Sequence, residues 1–388
     1  MLDPDAALRI LEDFQITTAV EVVPIQEALG RALAEEVRAR VDSPPLSKAA
    51  MDGYALRSTD GAERYQILET IAAGDVPEHT IAAGQCSKIM TGAMMPEGAD
   101  KIVRVEFARE SDGWMTVVEP EPYANIIERG ENIHAGDPLL APKVLSSQDI
   151  GVLASQGYAS VSVAAVPLVG VITTGSELRS AGEELGSGEI YDSNGPQLCA
   201  QLQTMGAQWR NYGVVPDDPQ ALAGAIDRAL RECDVLLLSG GVSMGDLDFV
   251  PGVLTSLGAQ IVFHKLAVKP GKPTLFARKG RSFIFGLPGN PVSTFIIFEV
   301  FVKAFLHRWM GIRSRPRVFS GALAETIKRR DAERLEFRPV RLEGRRIVPL
   351  SYHGSSHLSA LREAEGLIRI EIGTTRIEEG SELHVRLL

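Results

Sequence analysis

A chain of 388 residues with 45% hydrophobic and 23% charged residues is too long for one ordinary core and too apolar to be disordered, so several folded domains are expected. Its formal net charge of -10 argues against a whole-chain nucleic-acid binder or anionic-membrane binder, because counterion release needs a basic face. Cys86, Cys199 and Cys233 are few, odd in number and far apart without CxxC spacing, which suggests neither a disulfide framework nor a thiolate metal site and fits a reducing cytoplasm.

Residues 1–16 have an acidic start and a helical period, not a basic segment followed by an unbroken apolar one, so export is not expected. No run of about eighteen apolar residues occurs, and the oily stretch 292–306, cut by Glu299 and Lys303, reads as a buried or interfacial helix. Apolar positions at helical spacing predict helices over 4–14 and 25–37, and Ser43-Pro44-Pro45 then ends that pattern. From about 46 to 140, short apolar runs separated by Gly, Pro and Asp predict a small β-rich domain.

After Pro167 the texture becomes strand-helix alternation: strand 168–172, helix 195–205, strand 208–215, helix 219–231 and buried strand 235–238. That alternation predicts βαβ units and a mostly parallel sheet. Beyond Pro316, segments 335–340, 346–349, 367–372 and 382–387 read as a small β-barrel or sandwich.

Ligands of open parallel sheets bind beyond the carboxyl ends of the strands, so the loops there are the candidates. Four stand out: 173–177 with Thr174, Gly175 and Glu177; 239–243 with Ser239, Gly240, Gly241, Val242 and Ser243; 265–272; and 286–291 with Pro288, Gly289, Asn290 and Pro291. Paired glycines after a strand let backbone approach a phosphate or ring, although alone they are more simply a tight turn. Lys265, Lys269 and Lys272 place three ammonium groups on one short segment, and an extended strand would turn Lys265 and Lys269 to the same side. The rigid 286–291 loop, with Pro291 able to start a helix, reads equally as a ligand loop or a plain connector. Glu177, Asp192, Asp217, Asp246 and Asp248 supply hard oxygen ligands beside these lysines, which suits Mg²⁺ bridging a phosphate. Asp192 and Asp217 are read more simply as helix N-caps. His353 and His357 lack a metal-binding pattern.

An ordered set of motifs then resembles one family over nearly the whole chain. The set comprises Ala50-Met51-Asp52-Gly53-Tyr54-Ala55, Ile89-Met90-Thr91-Gly92-Ala93, Gly130-Glu131-Asn132-Ile133, Thr174-Gly175-Ser176-Glu177-Leu178 and Tyr191-Asp192-Ser193-Asn194, followed by the loops 239–243, 265–272 and 286–293. The family it resembles is the MoeA family of molybdopterin molybdenumtransferases, which are similar to the gephyrin E domain. Lys48-Ala49, Ser176 and Asn132 depart from its usual pattern.

The resemblance implies an elongated α/β plus β protein with four domains. These are an N-terminal and linker domain (1–45 with 136–165), a β-rich excursion (46–135), a three-layer MogA-like α/β domain (166–315) and a C-terminal β-barrel (316–388). It further implies a homodimer whose cleft is completed by the other subunit's β-rich domain. The implied function is insertion of molybdate into adenylated molybdopterin with release of AMP. Asp52, Glu177, Asp217, Asp248, Lys265 and Lys269 would be the catalytic residues, with Mg²⁺ held among Glu177, Asp246 and Asp248. Thr174, Gly175, residues 239–243, Lys272 and residues 288–291 would contact pterin and nucleotide.

A molybdopterin adenylyltransferase and acceptor molybdoenzymes are the partners the resemblance would add. The rivals are an adenylyltransferase-like enzyme, opposed by the Met51–Tyr54 segment, and a non-catalytic molybdopterin-binding scaffold, opposed by retention of Glu177, Asp248 and the three lysines.

Overall fold

The structure, a computed structural model, describes all residues except 17, 244–247, 313–315, 352–353 and 355. The chain forms two compact units: Met1–Val22, Gly30–Ala34 and Ser162–Leu388 in one, and Val23–Leu29 with Glu35–Val161 in the other.

The larger unit is built on a six-stranded sheet. Its elements are β1 (Leu168–Thr174), α1 (Asn194–Thr204), β2 (Gln208–Val215), α2 (Pro219–Glu232), β3 (Val235–Ser239), α3 (Val250–Ser256), β4 (Gln260–His264), β5 (Leu275–Lys279) and β6 (Ser282–Leu287). The strand order is β2-β1-β3-β6-β5-β4; the first four run parallel, and β5 is antiparallel to both neighbours. Side chains alternate across the pleat, so Val235 and Leu237 of β3 pack against one helical layer and Leu236 and Leu238 against the other. All four are fully buried, which is why β3 reads in sequence as an unbroken apolar run. Burying each such side chain contributes roughly 1.5–3 kcal/mol relative to exposure. The result is a three-layer α/β fold.

The oily stretch is helical throughout: Pro291–Ile297, a π-helical segment Phe298–Val302 and Lys303–Trp309. Glu299 does not interrupt it, because its carboxylate accepts from Gln201 Nε2 at 2.8 Å and Lys303 Nζ at 2.7 Å. No described helix is long and apolar enough to cross a membrane.

Beyond it, β7 (Val318–Leu323), β8 (Leu335–Glu343), β9 (Arg346–Pro349), β10 (Gly366–Ile370) and β11 (Glu382–Leu387) close on themselves in the order β8-β9-β7-β11-β10-β8. Closure leaves no free edge in this five-stranded barrel, which packs Leu323, Val340, Ile347, Ile368 and Val385 together. A two-residue strand, Val268–Lys269, pairs in parallel with Leu335 and Glu336 and so fastens the barrel beside the α/β sheet.

The second unit is β-rich. Its six-stranded sheet runs in the order Lys101–Arg104, Gly53–Leu56, Gln85–Ile89, Arg64–Ile71, Trp114–Val117 and Ala108–Ser111. Gly53 sits where strands approach closely, since a Cβ there would lie 2.3 Å from the Val103 carbonyl oxygen.

The predicted helix over 25–37 does not form. Residues Ile25–Glu27 make a 3₁₀ turn, Val37–Arg38 a short strand, and Gly30 between them adopts φ 76. Ala34 N–H donates to Ser162 O and Ala164 N–H to Ala32 O, so the buried positions satisfy strand-like pairing in place of a helical stripe. The helix predicted over 4–14 forms as Pro4–Asp13, capped by Asp3.

Candidate active site

Three loops leave the carboxyl ends of β1, β3 and β6 side by side. They are held together by groups that the sequence places there. Gly240 has φ 101 and Gly241 φ 62, left-handed conformations that glycine adopts without strain. A Cβ on Gly240 would come within 2.3 Å of the Thr174 carbonyl oxygen, so only glycine lets the β3 loop pass under the β1 loop. Gly240 N–H donates to Leu287 O at 3.1 Å, tying the β3 loop to β6.

A buried polar knot fixes the same junction. Asn194, the first residue of α1, donates through Nδ2 to Ser239 Oγ at 2.9 Å and to the Gly289 carbonyl at 2.7 Å. Ser239 Oγ donates to Pro288 O at 3.2 Å. Because the Gly289 carbonyl can only accept, the amide orientation is set, and Asn194 Oδ1 faces no donor among the described residues. Leaving a buried acceptor unsatisfied costs about 1–3 kcal/mol, the kind of local cost that clusters at functional sites.

These loops, with residues 269–273 and Arg334, line a cleft of about 1190 Å³. Of the residues singled out in the sequence, Thr174, Gly175, Glu177, Asp217, Ser239, Gly240, Gly241, Val242, Ser243, Asp248, Lys269, Lys272, Pro288, Gly289, Asn290 and Pro291 all lie on its wall. Asp246 falls outside the described residues, as does His353.

Asp217 is not the cap of α2. That position belongs to Asp218, whose carboxylate accepts from Gln220 N and Ala221 N. Asp217 instead accepts from Thr174 Oγ1 at 2.6 Å and from Ser176 N–H at 3.3 Å, which holds it at the cleft. Asp192 does act near the start of α1, accepting from Gly195 N–H at 3.0 Å, and also accepts from Thr173 Oγ1 at 2.9 Å.

Lys265 and Lys269 do not share a strand face. Lys265 takes φ 76 directly after β4 ends, which breaks the two-residue alternation, and only Lys269 and Lys272 line the cleft. Lys265 N–H donates to Thr274 O, and its carbonyl accepts from Leu2 N–H.

Asp52 belongs to the β-rich unit. Hydrogen bonds from the Thr91 hydroxyl and amide hold its carboxyl below the ordinary range, against the opposing effect of desolvation. All three cysteines are buried; burial pushes the Cys199 thiol up to about 11 and the Cys86 thiol up to about 12, so they stay protonated and unreactive at neutral pH.

Sequence reasoning gave no role to Arg334. It reaches the cleft only because Val268–Lys269 pairs with β8, a contact between segments far apart in the chain. A second cavity of about 380 Å³ adjoins on this side, sharing Lys269 and Gly354 and adding Arg338, Glu336 and Ser351.

Glycine loops, hydroxyls, carboxylates and lysines at the carboxyl edge of a parallel sheet define a cleft of the kind found in α/β enzymes. Three family models match in chain order: "MoeA N-terminal region (domain I and II)" over 2–157, "Probable molybdopterin binding domain" over 170–308 and "MoeA C-terminal region (domain IV)" over 322–388. The molybdopterin molybdenumtransferase of Staphylococcus epidermidis is 35% identical, with 94% of this chain and 90% of that protein covered. The Bacillus subtilis protein of the same name is 33% identical, with 99% and 93% covered. Two structures of the molybdopterin biosynthesis MoeA protein from Pyrococcus horikoshii superpose with TM-scores of 0.89 and 0.84 at 31% and 29% identity, covering all of this chain and 99% and 100% of theirs. The chain belongs to the MoeA family of molybdopterin molybdenumtransferases, and its function is in molybdenum cofactor biosynthesis.

Proposed function

We propose that the cleft binds adenylated molybdopterin and molybdate, inserts the metal between the two dithiolene sulfurs and releases AMP. The observation that carries this reading is the convergence of Lys269 and Lys272 with Glu177, Asp217 and Asp248 on one cleft beside the Ser239–Ser243 loop. Ser239, Gly240, Gly241, Val242 and Ser243 form the floor under the pterin and nucleotide, Thr174 and Gly175 border it, and Pro288, Gly289, Asn290 and Pro291 form a rigid wall. Lys269 and Lys272, with Arg334, neutralise the oxyanion and the phosphoanhydride, stabilising charge as it develops on the leaving AMP. Molybdate, a small dianion, would lie beside Lys269, which the cleft shares with the adjoining cavity of about 380 Å³, where Arg338 is already ion-paired to Glu336. Lys265 supports the segment that carries Lys269.

Among the described residues no three His, Cys, Asp or Glu side chains converge as a metal cage. The donors present do fit Mg²⁺, which is commonly held by one or two carboxylates and completed by substrate phosphates. Glu177 and Asp248 would hold it, and the ion would supply Lewis-acid neutralisation of the phosphoanhydride. Asp217, fixed by Thr174 Oγ1 and Ser176 N–H, keeps a carboxylate oriented toward the ligand.

We read the protein as a cytoplasmic homodimer in which Asp52 of the β-rich domain serves the other subunit's cleft. A molybdopterin adenylyltransferase delivering substrate and acceptor molybdoenzymes receiving product are its further partners on this reading.

The test is AMP release by purified protein given adenylated molybdopterin and Mg²⁺, with molybdate, with tungstate and with neither. Oxyanion-dependent release is expected. Release without oxyanion would mark a hydrolase, and no release under any condition a scaffold.

A further inference from the structure

The cleft wall includes a short ribbon to which no role has been given. Leu178–Arg179 pairs in parallel with Ile190–Tyr191, directly beyond the Thr174–Glu177 loop. Ile190 N–H donates to Glu177 O at 2.9 Å and Asp192 N–H to Arg179 O at 2.8 Å, so the ribbon is locked to the loop that carries Glu177. Glu189 and Arg179 form an ion pair across it.

Ile190 and Tyr191 are 55% and 47% exposed, yet both line the cleft. Tyr191 is the one aromatic residue among the described cleft residues; the other apolar wall is made of prolines, Leu178, Ile190, Val242 and Leu358. Its hydroxyl donates to Glu183 O at 2.9 Å, which fixes the far end of the ring while nearly half of the residue stays exposed. A half-exposed aromatic ring, pinned at its hydroxyl and standing at the mouth of a polar, cation-bearing cleft, provides a π-face on which a flat heteroaromatic ring can lie.

We propose that Tyr191 is the stacking platform for a fused heteroaromatic ring of the bound substrate, either its pterin or its adenine. The inference rests on the reading of the cleft as the adenylated molybdopterin site. Stacking supplies binding that is the same before and after the chemical step, so it raises affinity without changing turnover.

The experiment compares unmodified protein with Tyr191→Phe, Tyr191→Leu and Tyr191→Ala. Dissociation constants are measured by calorimetric titration for adenylated molybdopterin, for AMP and for neopterin, alongside kcat and KM for AMP release. Tyr191→Phe keeps the ring and should stay within about two-fold, whereas Tyr191→Leu and Tyr191→Ala should weaken adenylated molybdopterin binding on the order of ten-fold. KM should rise with kcat retained.

Loss of affinity for AMP in the Leu variant assigns the adenine ring, and loss for neopterin assigns the pterin. Equal affinity of the Leu variant and unmodified protein for all three ligands overturns the inference alone. Failure of unmodified protein to bind adenylated molybdopterin overturns the cleft reading, and the inference with it. A purely structural role would lower the thermal midpoint of the Leu variant and alter kcat and KM together, and that result also overturns it.

Discussion

Single residues decide the shape of this cleft through constraints that can each be checked. Gly240 combines φ 101 with a Cβ direction blocked 2.3 Å away by the Thr174 carbonyl. Gly240→Ala should therefore cost at least about 1–3 kcal/mol of stability, read as a lowered urea midpoint, and should displace the β1 loop that carries Glu177. Lys269 lines the cleft while Lys265 does not, so the two lysines should separate in kinetics. Lys269→Ala should lower oxyanion-dependent AMP release by roughly 10²–10³-fold, the usual loss on removing one stabilising donor. Lys265→Ala should lower it less, with circular dichroism unchanged in both. Equal losses would return Lys265 to the same role as its neighbour.

At the scale of an element, adjacent aspartates divide two tasks. Asp218 caps α2 through Gln220 N and Ala221 N, and Asp218→Ala should cost about 0.5–2 kcal/mol without loss of turnover. Asp217→Asn should do the reverse, keeping the thermal midpoint and losing AMP release. The β-rich sheet carries its own acid sensitivity. Glu121 is 5% exposed; burial acts to raise its carboxyl, and hydrogen bonds from the Arg104 guanidinium and the Tyr123 and Arg104 amides outweigh burial and hold it down at about 2. A carboxyl depressed on folding stabilises the fold above its ordinary value of 4.5 and loses that contribution as pH falls toward about 2. Thermal midpoints measured from pH 6 to pH 3 should thus drop for the unmodified chain and drop less steeply for Glu121→Gln.

For the whole molecule, the homodimer proposed above predicts twice the 41.9 kDa chain mass by light scattering. A monomeric mass with full turnover would remove the partner's Asp52 from the reaction. Within the larger unit, the pairing of Val268–Lys269 with Leu335–Glu336 joins barrel and sheet, and Arg386 Nη2 donates to Glu299 O at 2.6 Å across the same join. These contacts bring Arg334 and Arg338 to the cleft margin beside Lys269.

Much was legible in the residues themselves, because periodicity and turn chemistry are local. The unbroken apolar β3 announced a doubly covered strand, strand-helix alternation announced the parallel sheet, and the loops 173–177, 239–243 and 286–291 were legible as candidates for its carboxyl edge. The helix expected over 25–37 failed because an apolar spacing cannot tell a helical stripe from short segments that pair with distant strands. The shared face expected of Lys265 and Lys269 failed because one left-handed residue resets the alternation. Arg334 and the Asn194 knot depend on segments far apart in the chain meeting in space, and only tertiary packing decides which distant side chains face one another.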